Sequence, residues 1–355
     1  MVDGTGAEAA RHLTALEVVA IDGPLDAGRL GWVGDLYGEV DPRYGSREFL
    51  EHLFARGPAG PALHAFVVAD GAPVAHTAVI PTPARRGSDS LRAGKLEALF
   101  VAESHRGRRR DGTAVVRVLL NAVYDLADAR GCQLIHAFVV PRVGRAIGFT
   151  RLDGVAPPSL VALLRPSRTG AMGAAELVLA TAQLGVRAVA GMGLRALGAR
   201  ASAPVVRAVS ADDATLLETP ALPSTAWAVV ADGALDWYAT SPYVRVLESN
   251  DGSRALVQLP GWPREPLRVA AWDSPSGSVK SAVVLLEAAG RLARETGAST
   301  LRLQIANREP SLRRAARALG FVERDDLTTL WVRTADPALA SADSVVPTPF
   351  LYLGF

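Results

Sequence analysis

The sequence contains one cysteine, and this scarcity excludes two kinds of site. Cys132 has no second cysteine to pair with, so the chain forms no internal disulfide. A zinc site built from several thiolates is excluded for the same reason, and an isolated thiol is typical of a reducing compartment. The residues after Cys132 read Gln133-Leu134-Ile135. They predict a strand entering a core, so we interpret this thiol as buried and unreactive.

An excess of charge of either sign is also missing. The chain carries 38 Lys and Arg against 36 Asp and Glu, a net charge of +2. This balance favours neither nucleic acid nor a membrane surface as a partner. Lysine is nearly absent, and the many arginines reflect the composition of a high-GC genome. No residue spacing predicts a metal site or a serine or cysteine triad. Because the net charge is small, any bound anion must be held by a local group of residues.

Uninterrupted apolar runs are absent as well. The N-terminus has no basic region followed by an apolar stretch, so we predict no signal peptide. The segment 174–197 is rich in Ala, Val and Leu, but Glu176, Arg187 and Arg195 interrupt it, which is costly within a bilayer. We therefore predict a packed linker helix here and a cytoplasmic protein without a membrane partner.

The sequence does contain enough apolar residues for two domains. With 355 residues, 49% of them hydrophobic, each half can bury a core. In the first half, two β-rich segments flank Asp70-Gly71, which predicts a hairpin. There follow a strand over 95–101, a helix over 113–130, a strand over 134–140, a helix ending at Gly148-Phe149, and a closing strand over 160–164. This order predicts an α/β (α+β) fold with one mixed sheet flanked by helices.

The same pattern recurs in the second half. Two predicted helices share residues at equal spacings: Leu120, Ala122, Leu126, Ala127 and Gly131 in the first, Leu286, Ala288, Leu292, Ala293 and Gly297 in the second. A strand and a helix ending in Gly-Phe follow both, the second at Gly320-Phe321. Such a repeat indicates two similar units. We predict domains at 1–166 and 207–355, a helical linker over 167–206, and 328–332 as the closing strand of the second sheet.

A loop rich in arginine and glycine precedes the first long helix. It spans 106–114 and contains Gly107 and Gly112. The first turn of a helix presents unpaired N–H groups and a partial positive charge, which bind phosphate oxygens. Glycine lets the backbone approach the anion closely, and arginine adds charge-assisted hydrogen bonds. The loop therefore predicts a phosphate or pyrophosphate site at a strand end.

This loop resembles the acyl-CoA motif of the GNAT superfamily of N-acetyltransferases, an Arg/Gln-x-x-Gly-x-Gly/Ala turn after a strand ending in Val. Arg109-x-x-Gly112-x-Ala114 fits that form, and the element order over 60–165 is similar to the family core. The resemblance implies a sheet whose central strands splay apart around pantetheine. It implies that pantetheine pairs with the backbone of Leu99, Phe100 and Val101. It also implies that the pyrophosphate lies on Arg106, Gly107, Arg109, Gly112, Thr113 and Ala114.

The resemblance also implies a catalytic role for Glu97. It lies four residues before Val101, where many family members place a carboxylate that deprotonates the amine. The alternatives are a salt bridge to Lys95 or to an arginine, or a place on the exposed face of a half-buried strand. The family often supplies a tyrosine four residues before its Gly-Phe to protonate the departing thiolate, but Gly144 stands there. His76 and His136 are expected either to line the cleft or to be satisfied core residues.

The second half lacks the features of the first-half loop. Its corresponding segment, 273–278, contains no arginine and only Gly277 for close backbone approach, and it begins with the carboxylate of Asp273. Ala316 stands at the tyrosine position. We therefore predict that the second half is a degenerate copy and that each chain binds one acyl-CoA.

The sequence thus predicts an N-acyltransferase that moves an acyl group, acetyl in the first instance, from acyl-CoA to the amine of a small molecule in a ternary complex. The two-halved arrangement resembles mycothiol synthase and the Fem-type aminoacyltransferases. A Fem-like aminoacyltransferase and a non-catalytic acyl-CoA-binding protein are the alternatives. The sequence does not identify the acyl group, the acceptor or the oligomeric state.

Overall fold

The chain folds into two mixed β-sheets, each covered by helices, so the predicted α/β (α+β) class is confirmed. The computed structural model describes residues 16–107, 109–110, 112–153, 155, 159–164, 178, 181–183, 185, 204–219, 221–231, 234–261, 265–303, 310–324, 329–346 and 348.

The strands of the described residues are numbered in chain order. They are β1 Leu16–Asp22, β2 Leu63–Ala69, β3 Ala72–Arg86, β4 Asp89–Val101, β5 Arg109–Arg110, β6 Thr113–Ala114, β7 Leu134–Val139, β8 Thr150–Leu152, β9 Ser159–Leu163, β10 Val205–Arg207, β11 Trp227–Val229, β12 Val244–Glu248, β13 Arg254–Gln258, β14 Leu267–Asp273, β15 Thr300–Leu303, β16 Val322–Arg324 and β17 Thr329–Thr334.

The α-helices of the same residues are α1 Ala27–Tyr37, α2 Arg47–Leu50, α3 Val115–Ala129, α4 Pro141–Ile147, α5 Leu235–Ala239, α6 Val279–Glu295 and α7 Pro310–Ala318. A π-helical turn, Glu51–Ala55, follows α2 directly. Short 3-10 turns occupy Pro42–Gly45, Glu103–His105, Ala211–Leu217, Pro337–Ala340 and Ala342–Ser344.

The predicted hairpin joins β2 and β3. Asp70 and Gly71 at its turn have φ values of 52° and 77°, and positive φ at both central residues is the requirement of a type I′ turn. β3 continues antiparallel to β4, whereas β4 and β7 are parallel. A parallel pair needs a crossover connection, and the long helix α3 supplies it.

The two sheets have the same strand plan. The first runs β1-β2-β3-β4-β7-β17-β8, with β11 also paired to β3, and the second runs β10-β12-β13-β14-β15-β9-β16. In each sheet, four antiparallel strands are followed by a parallel strand and then by two antiparallel ones. The repeat inferred from the sequence is therefore a repeat of topology.

The two strands expected to close the sheets are exchanged between them. β9, expected in the first sheet, pairs with β15 and β16 of the second. β17, expected in the second, pairs with β7 and β8 of the first. Both expectations are wrong because β9 and β17 each contain three consecutive buried apolar residues, 160–162 and 330–332, which fit either sheet. The limits 1–166 and 207–355 stay a prediction, but neither segment contains all the strands of its sheet.

The halves share a continuous core. α3 covers one face of the first sheet, where Leu119, Leu120 and Val123 are fully buried. On the opposite face, strands of the first sheet pack against residues of the second half in a single cluster. Trp237 joins the halves there: its Nε1 donates to the carbonyl of His52 at 3.1 Å, and its ring stacks on the imidazole at 4.6 Å.

The predicted linker, 167–206, lies mostly outside the described residues. Residues 178, 181–183 and 185 are helical, and Oε1 of Gln183 accepts a hydrogen bond from the amide of Leu163 at 2.7 Å. Strand β10 begins within the last residues assigned to the linker. Among the described helices, none combines the length and the apolar composition needed to cross a membrane.

Candidate active site

Strand β4 bulges just after Glu97. Glu97 lies opposite Ala78 and Phe100 lies opposite His76, so β4 has two residues where β3 has one. The first of these, Ala98, has a φ of 56°, which is uncommon for a residue with a Cβ. A bulge bends its strand and re-aims the neighbouring side chains, and bulges are frequent beside active sites.

Strand β4 also diverges from its parallel neighbour β7. Their pairing begins at Ala93 and ends at Lys95, which lies opposite His136, although β4 continues to Val101 and β7 to Val139. Beyond Lys95 the two facing edges do not hydrogen-bond to each other as a ladder. The expected splay of the first sheet is therefore present. Leu99, Phe100 and Val101, the residues expected to bind pantetheine, lie on the diverging part of β4.

A chain of buried polar side chains reaches this bulge from α1. The Tyr37 hydroxyl donates to the carbonyl of Ala98 and also lies 3.0 Å from the carbonyl of His76. Nδ1 of His76 lies 3.3 Å from that hydroxyl, and its Nε2 lies 3.1 Å from Nδ1 of His64. His64 and His76 are fully buried, and Tyr37 is 5% exposed.

The donation from Tyr37 to Ala98, together with the neutral state of the two histidines, gives this chain one direction. Burial lowers the pKa of His64 to about 3. Burial, and then the neighbouring His64, lowers the pKa of His76 well below its usual value. Both rings are therefore neutral near pH 7, so each carries one N–H. We assign His64 Nδ1–H as donor to His76, His76 Nδ1–H as donor to Tyr37, and the Tyr37 hydroxyl as donor to Ala98.

The Arg/Gly loop forms a small ribbon at the start of α3. Arg109 pairs with Ala114 and Arg110 with Thr113. Gly107 and Gly112 have φ values of 81° and 79°, which glycine adopts without strain. Residues 108 and 111 and the side chain of Arg109 lie outside the described part. The Nε of Arg106 donates to the carbonyl of Val101 at 3.1 Å, which ties the loop to the end of β4.

The N-terminus of α3 is not capped by its own N-cap side chain. Ala114 occupies the N-cap and has no side-chain acceptor, and α3 begins at Val115. Helix N-termini present N–H groups that need an acceptor from a side chain, water or a ligand. Together with Gly107 and Gly112, this start of α3 suits an anion such as a pyrophosphate.

Glu97 forms an ion pair with Lys95, one of the alternatives to a catalytic role. Its Oε2 lies 2.7 Å from Nζ of Lys95, and the two side chains are 20% and 10% exposed. Glu97 also lies near two buried tyrosines. Burial, followed by the charge of Glu97, raises the pKa of Tyr44 well above its usual value. Burial, Tyr44 and Glu97, in that order, do the same to Tyr37.

Comparison with known proteins gives a match in structure alone. No family model and no curated protein matches the sequence. A tandem GNAT protein from the clavulanic acid biosynthesis pathway, solved without AcCoA, is 17% identical with a TM-score of 0.55, over 91% of this chain and 99% of that one. The chain has the tandem GNAT fold. A GCN5-related N-acetyltransferase from Kribbella flavida is 14% identical with a TM-score of 0.48, over 91% of this chain and 72% of that one. Eis1 from Mycobacterium abscessus is 13% identical with a TM-score of 0.44, over 91% and 74%.

The second GNAT half differs from the first at the start of its long helix. Ser278, the N-cap of α6, accepts a hydrogen bond from the amide of Lys280 at 3.2 Å. The carboxylate of Asp251, on the β12–β13 turn, accepts from Ser281 in the first turn of α6 and from Ser276 at 3.4 Å. Although burial raises it, hydrogen bonds from Ser249 and Ser281 hold the pKa of Asp251 below its usual value. An anionic side chain of the protein itself therefore lies beside the first turn of α6.

Asp273, the other acidic residue of this region, is paired. Nη2 of Arg254 lies 2.8 Å from Oδ2 of Asp273, and Thr215 donates to the same oxygen at 3.2 Å. The repulsion expected from Asp273 is thus partly neutralised by Arg254. The unpaired arginines expected of a pyrophosphate site have no counterpart in the described loop 273–278.

Packing explains the glycine at the tyrosine position of the first half. A Cβ built on Gly144 would lie 2.2 Å from Cδ2 of Trp331, far inside van der Waals contact. Trp331 belongs to β17, the strand contributed by the second half. A tyrosine at residue 144 is therefore incompatible with the exchanged strand as it lies here.

His76 and His136, expected either at the cleft or in the core, are both buried. His76 uses its ring nitrogens inside the Tyr37 chain. His136 is 1% exposed, and neither ring nitrogen has a hydrogen-bond partner among the described residues. Burial, and then the charge of Lys95, lowers the pKa of His136 to about 3.

Sequence reasoning missed Tyr37 and His64. The hairpin at Asp70-Gly71 gave no signal for His64, because its two-residue turn alone would place His64 and His76 on opposite faces. The register shift between Val67 and Val68 brings them onto one face.

Proposed function

We propose that this protein is an acyl-CoA-dependent N-acyltransferase, with acetyl-CoA as the first acyl donor to test and the amine of a small molecule as acceptor. The observation that carries the proposal is the combination found in the first half. The bulged strand β4 diverges from β7 and leads into a glycine-containing loop before a helix whose N-cap residue, Ala114, has no capping side chain. The fold of the tandem GNAT neighbour supports this proposal.

Acyl-CoA would bind along the backbone rather than to a charged pocket. The diverging edge of β4 at Leu99, Phe100 and Val101 offers N–H and C=O groups for pantetheine amides. Gly107 and Gly112 hold the loop in left-handed conformations beside the start of α3. The amides there, with Arg106, are the proposed pyrophosphate contacts.

Glu97 is the proposed proton acceptor. The acceptor amine must lose a proton before or during attack on the thioester carbonyl, and a positioned carboxylate can take it directly or through water. The C–N bond forms, the C–S bond breaks, and CoA leaves as a thiolate that takes up a proton. Because Gly144 replaces the tyrosine that would protonate it, solvent is the proposed proton source for the thiolate.

One observation favours a second candidate, a non-catalytic acyl-CoA-binding protein. Trp331 fills the space of a tyrosine acid at Gly144, and Glu97 is held by Lys95. In that case the protein would bind acyl-CoA but release no thiol when an amine is added.

Free-thiol release with acetyl-CoA and a panel of amines separates the two candidates. We expect amine-dependent release by the wild type, and a loss of about a hundredfold in Glu97→Gln, the scale of a lost general base. Acetyl-CoA affinity should stay nearly unchanged in that variant. Binding without release by any amine would favour the second candidate, and release unchanged by Glu97→Gln would show that another group accepts the proton.

A further inference from the structure

A cavity lies at the opposite end of the first sheet from the Arg/Gly loop. It has a volume of about 720 Å³ and is lined mainly by the late part of β3 and the early part of β4. Pro81 and Pro83 supply half-buried apolar surface, and Arg130 lies at the C-cap of α3. Leu63 and Val79, also in the lining, are buried. Cavities of roughly 300–1,000 Å³ with apolar walls and a few polar groups are typical of small-molecule sites.

This cavity is remote from the proposed pyrophosphate loop. Gly94 lines it, and Gly94 precedes Val101 by seven positions on the same strand. At about 3.3 Å per residue the two ends of this segment are roughly 23 Å apart. A ligand in this cavity would therefore not occupy the pyrophosphate loop.

The charged lining of the cavity has one sign. Its arginines are Arg85, Arg92 and Arg130, and none of its described lining residues is acidic. Arg130 is ion-paired with Asp22 outside the lining. Nη1 of Arg92 donates to the carbonyl of Arg130 at 3.1 Å, and Arg92 is exposed to solvent. Guanidinium groups bind carboxylate and phosphate oxygens through paired N–H donors.

We propose that this cavity binds an amphipathic anion, with its apolar body beside Pro81 and Pro83 and its acidic group at Arg92. The volume accommodates a ligand body, and the cationic lining supplies the complementary charge. The ligand class is that of medium-chain carboxylates. The proposal does not depend on the transferase chemistry.

Cys132 provides a reporter inside this cavity. It is the chain's single cysteine, it lines the cavity and it is half-buried. Its thiol donates to the carbonyl of Leu134 at 3.2 Å. Burial raises the pKa of the Cys132 thiol, so alkylation is slow at neutral pH and is best followed at about pH 8.5, where more thiolate is present. A bound ligand would shield this thiol.

The test measures iodoacetamide alkylation of Cys132 in the full chain by intact mass, with and without decanoate. We expect low-millimolar decanoate to slow alkylation several-fold. Decanol, which has the apolar body alone, and acetate, which has the charge alone, should protect far less at equal concentration. Calorimetric titration with decanoate gives a second reading that does not depend on thiol reactivity.

Two arginine variants complete the test. Arg92→Gln removes one charge from the lining and should lose most of the protection and binding. Arg86→Gln is the matched control, because Arg86 lies on the same hairpin but is ion-paired with Asp336 at 2.9 Å and is not among the described lining residues. No protection and no calorimetric binding by decanoate would overturn the proposal. Equal protection by decanol, or equal binding by Arg92→Gln, would overturn the role of charge.

Discussion

At the scale of single residues, Tyr37 is the side chain that most directly fixes the proposed site. Its hydroxyl donates to the carbonyl of Ala98 at the bulge, and Nδ1 of His76 lies within hydrogen-bond distance of the same hydroxyl. Residues in left-handed conformations persist where the surrounding structure holds them. Tyr37 is therefore a positioning residue for Glu97, which directly precedes Ala98, and for the backbone that follows.

Removing that hydroxyl should weaken acyl-CoA binding. In Tyr37→Phe we expect acetyl-CoA affinity to fall about tenfold, the equivalent of one buried hydrogen bond of roughly 1.4 kcal/mol. Tyr124→Phe is the matched control, since that hydroxyl donates to the carbonyl of Ile147 at 3.4 Å beneath α3. Calorimetry measures both variants. Equal affinity in Tyr37→Phe and the wild type would show that the bulge holds without the tyrosine.

The buried histidines should make the fold sensitive to acid. The pKa values of His64 and His136 are lowered to about 3 by burial, whereas an unfolded histidine titrates near 6.5. Below about pH 6.5 the unfolded chain therefore binds protons that the folded chain does not. The free energy of unfolding then falls as the pH falls, by about 1 kcal/mol per pH unit for each histidine.

Thermal unfolding at pH 7.0 and 5.5 measures this effect. We expect a lower Tm at pH 5.5 and a smaller difference between the two in His136→Leu, which removes one of the titrating rings. A Tm that is the same at both pH values would contradict the assignment of neutral buried histidines.

At the scale of elements, the two long helices begin differently although their repeat is clear in the sequence. α3 begins after Ala114, which offers no cap, and α6 begins after Ser278, which caps it. Asp251 adds a carboxylate beside the first turn of α6. An anion at a helix N-terminus is stabilised by the helix dipole and the free amides. In the second half that anion is a side chain.

Asp251→Asn should therefore lower stability and leave ligand binding unchanged. The loss of charge-assisted hydrogen bonds at this turn should cost about 1–2 kcal/mol, visible as a lower Tm. The number of acetyl-CoA molecules bound per chain should stay at one. A second equivalent appearing in this variant would show that the α6 loop is a CoA site blocked by Asp251.

The elements predicted well are those whose signal is local. The hairpin at Asp70-Gly71 and the helix ending before Gly131 are encoded by neighbouring residues, and both lie close to their predicted positions. The Arg/Gly loop was found for the same reason. The hydrogen bond that supports the bulge was not predicted, because Tyr37 and Ala98 are 61 positions apart in the sequence. Such a contact depends on how α1 packs on the sheet.

At the scale of the whole molecule, the exchange of β9 and β17 makes the halves interdependent. Leu330, Trp331 and Val332 of β17 are buried. Trp331 packs in the cluster beneath α3, and the other two pack in the cluster that the halves share. Fully burying a large apolar side chain contributes about 1.5–3 kcal/mol, so these three amount to roughly 5–9 kcal/mol. That is comparable with the entire stability of an ordinary domain, about 5–15 kcal/mol. The exchange could not be predicted, because strand pairing across halves leaves no local signature.

A chain ending at residue 206 should consequently fail to fold as a stable domain. It lacks β17, and its own β9 has lost both partners in the second sheet. We expect an aggregated or non-cooperatively unfolding fragment by circular dichroism and gel filtration. Addition of the complementary fragment, 207–355, during refolding should restore a cooperative transition. A soluble, cooperatively melting 1–206 fragment would show that the first half does not need β17.

Calorimetric titration of acetyl-CoA into the intact chain tests the central claim, that the first-half loop binds acyl-CoA. Gly112 and Gly277 have positive φ values of 79° and 57° and lie before α3 and α6 respectively, so the same substitution at each is a matched pair. The account predicts one acetyl-CoA bound by the wild type and by Gly277→Asp, and binding lost in Gly112→Asp through bulk and negative charge. No binding by the wild type at millimolar ligand, or loss in Gly277→Asp with Gly112→Asp unaffected, would contradict it.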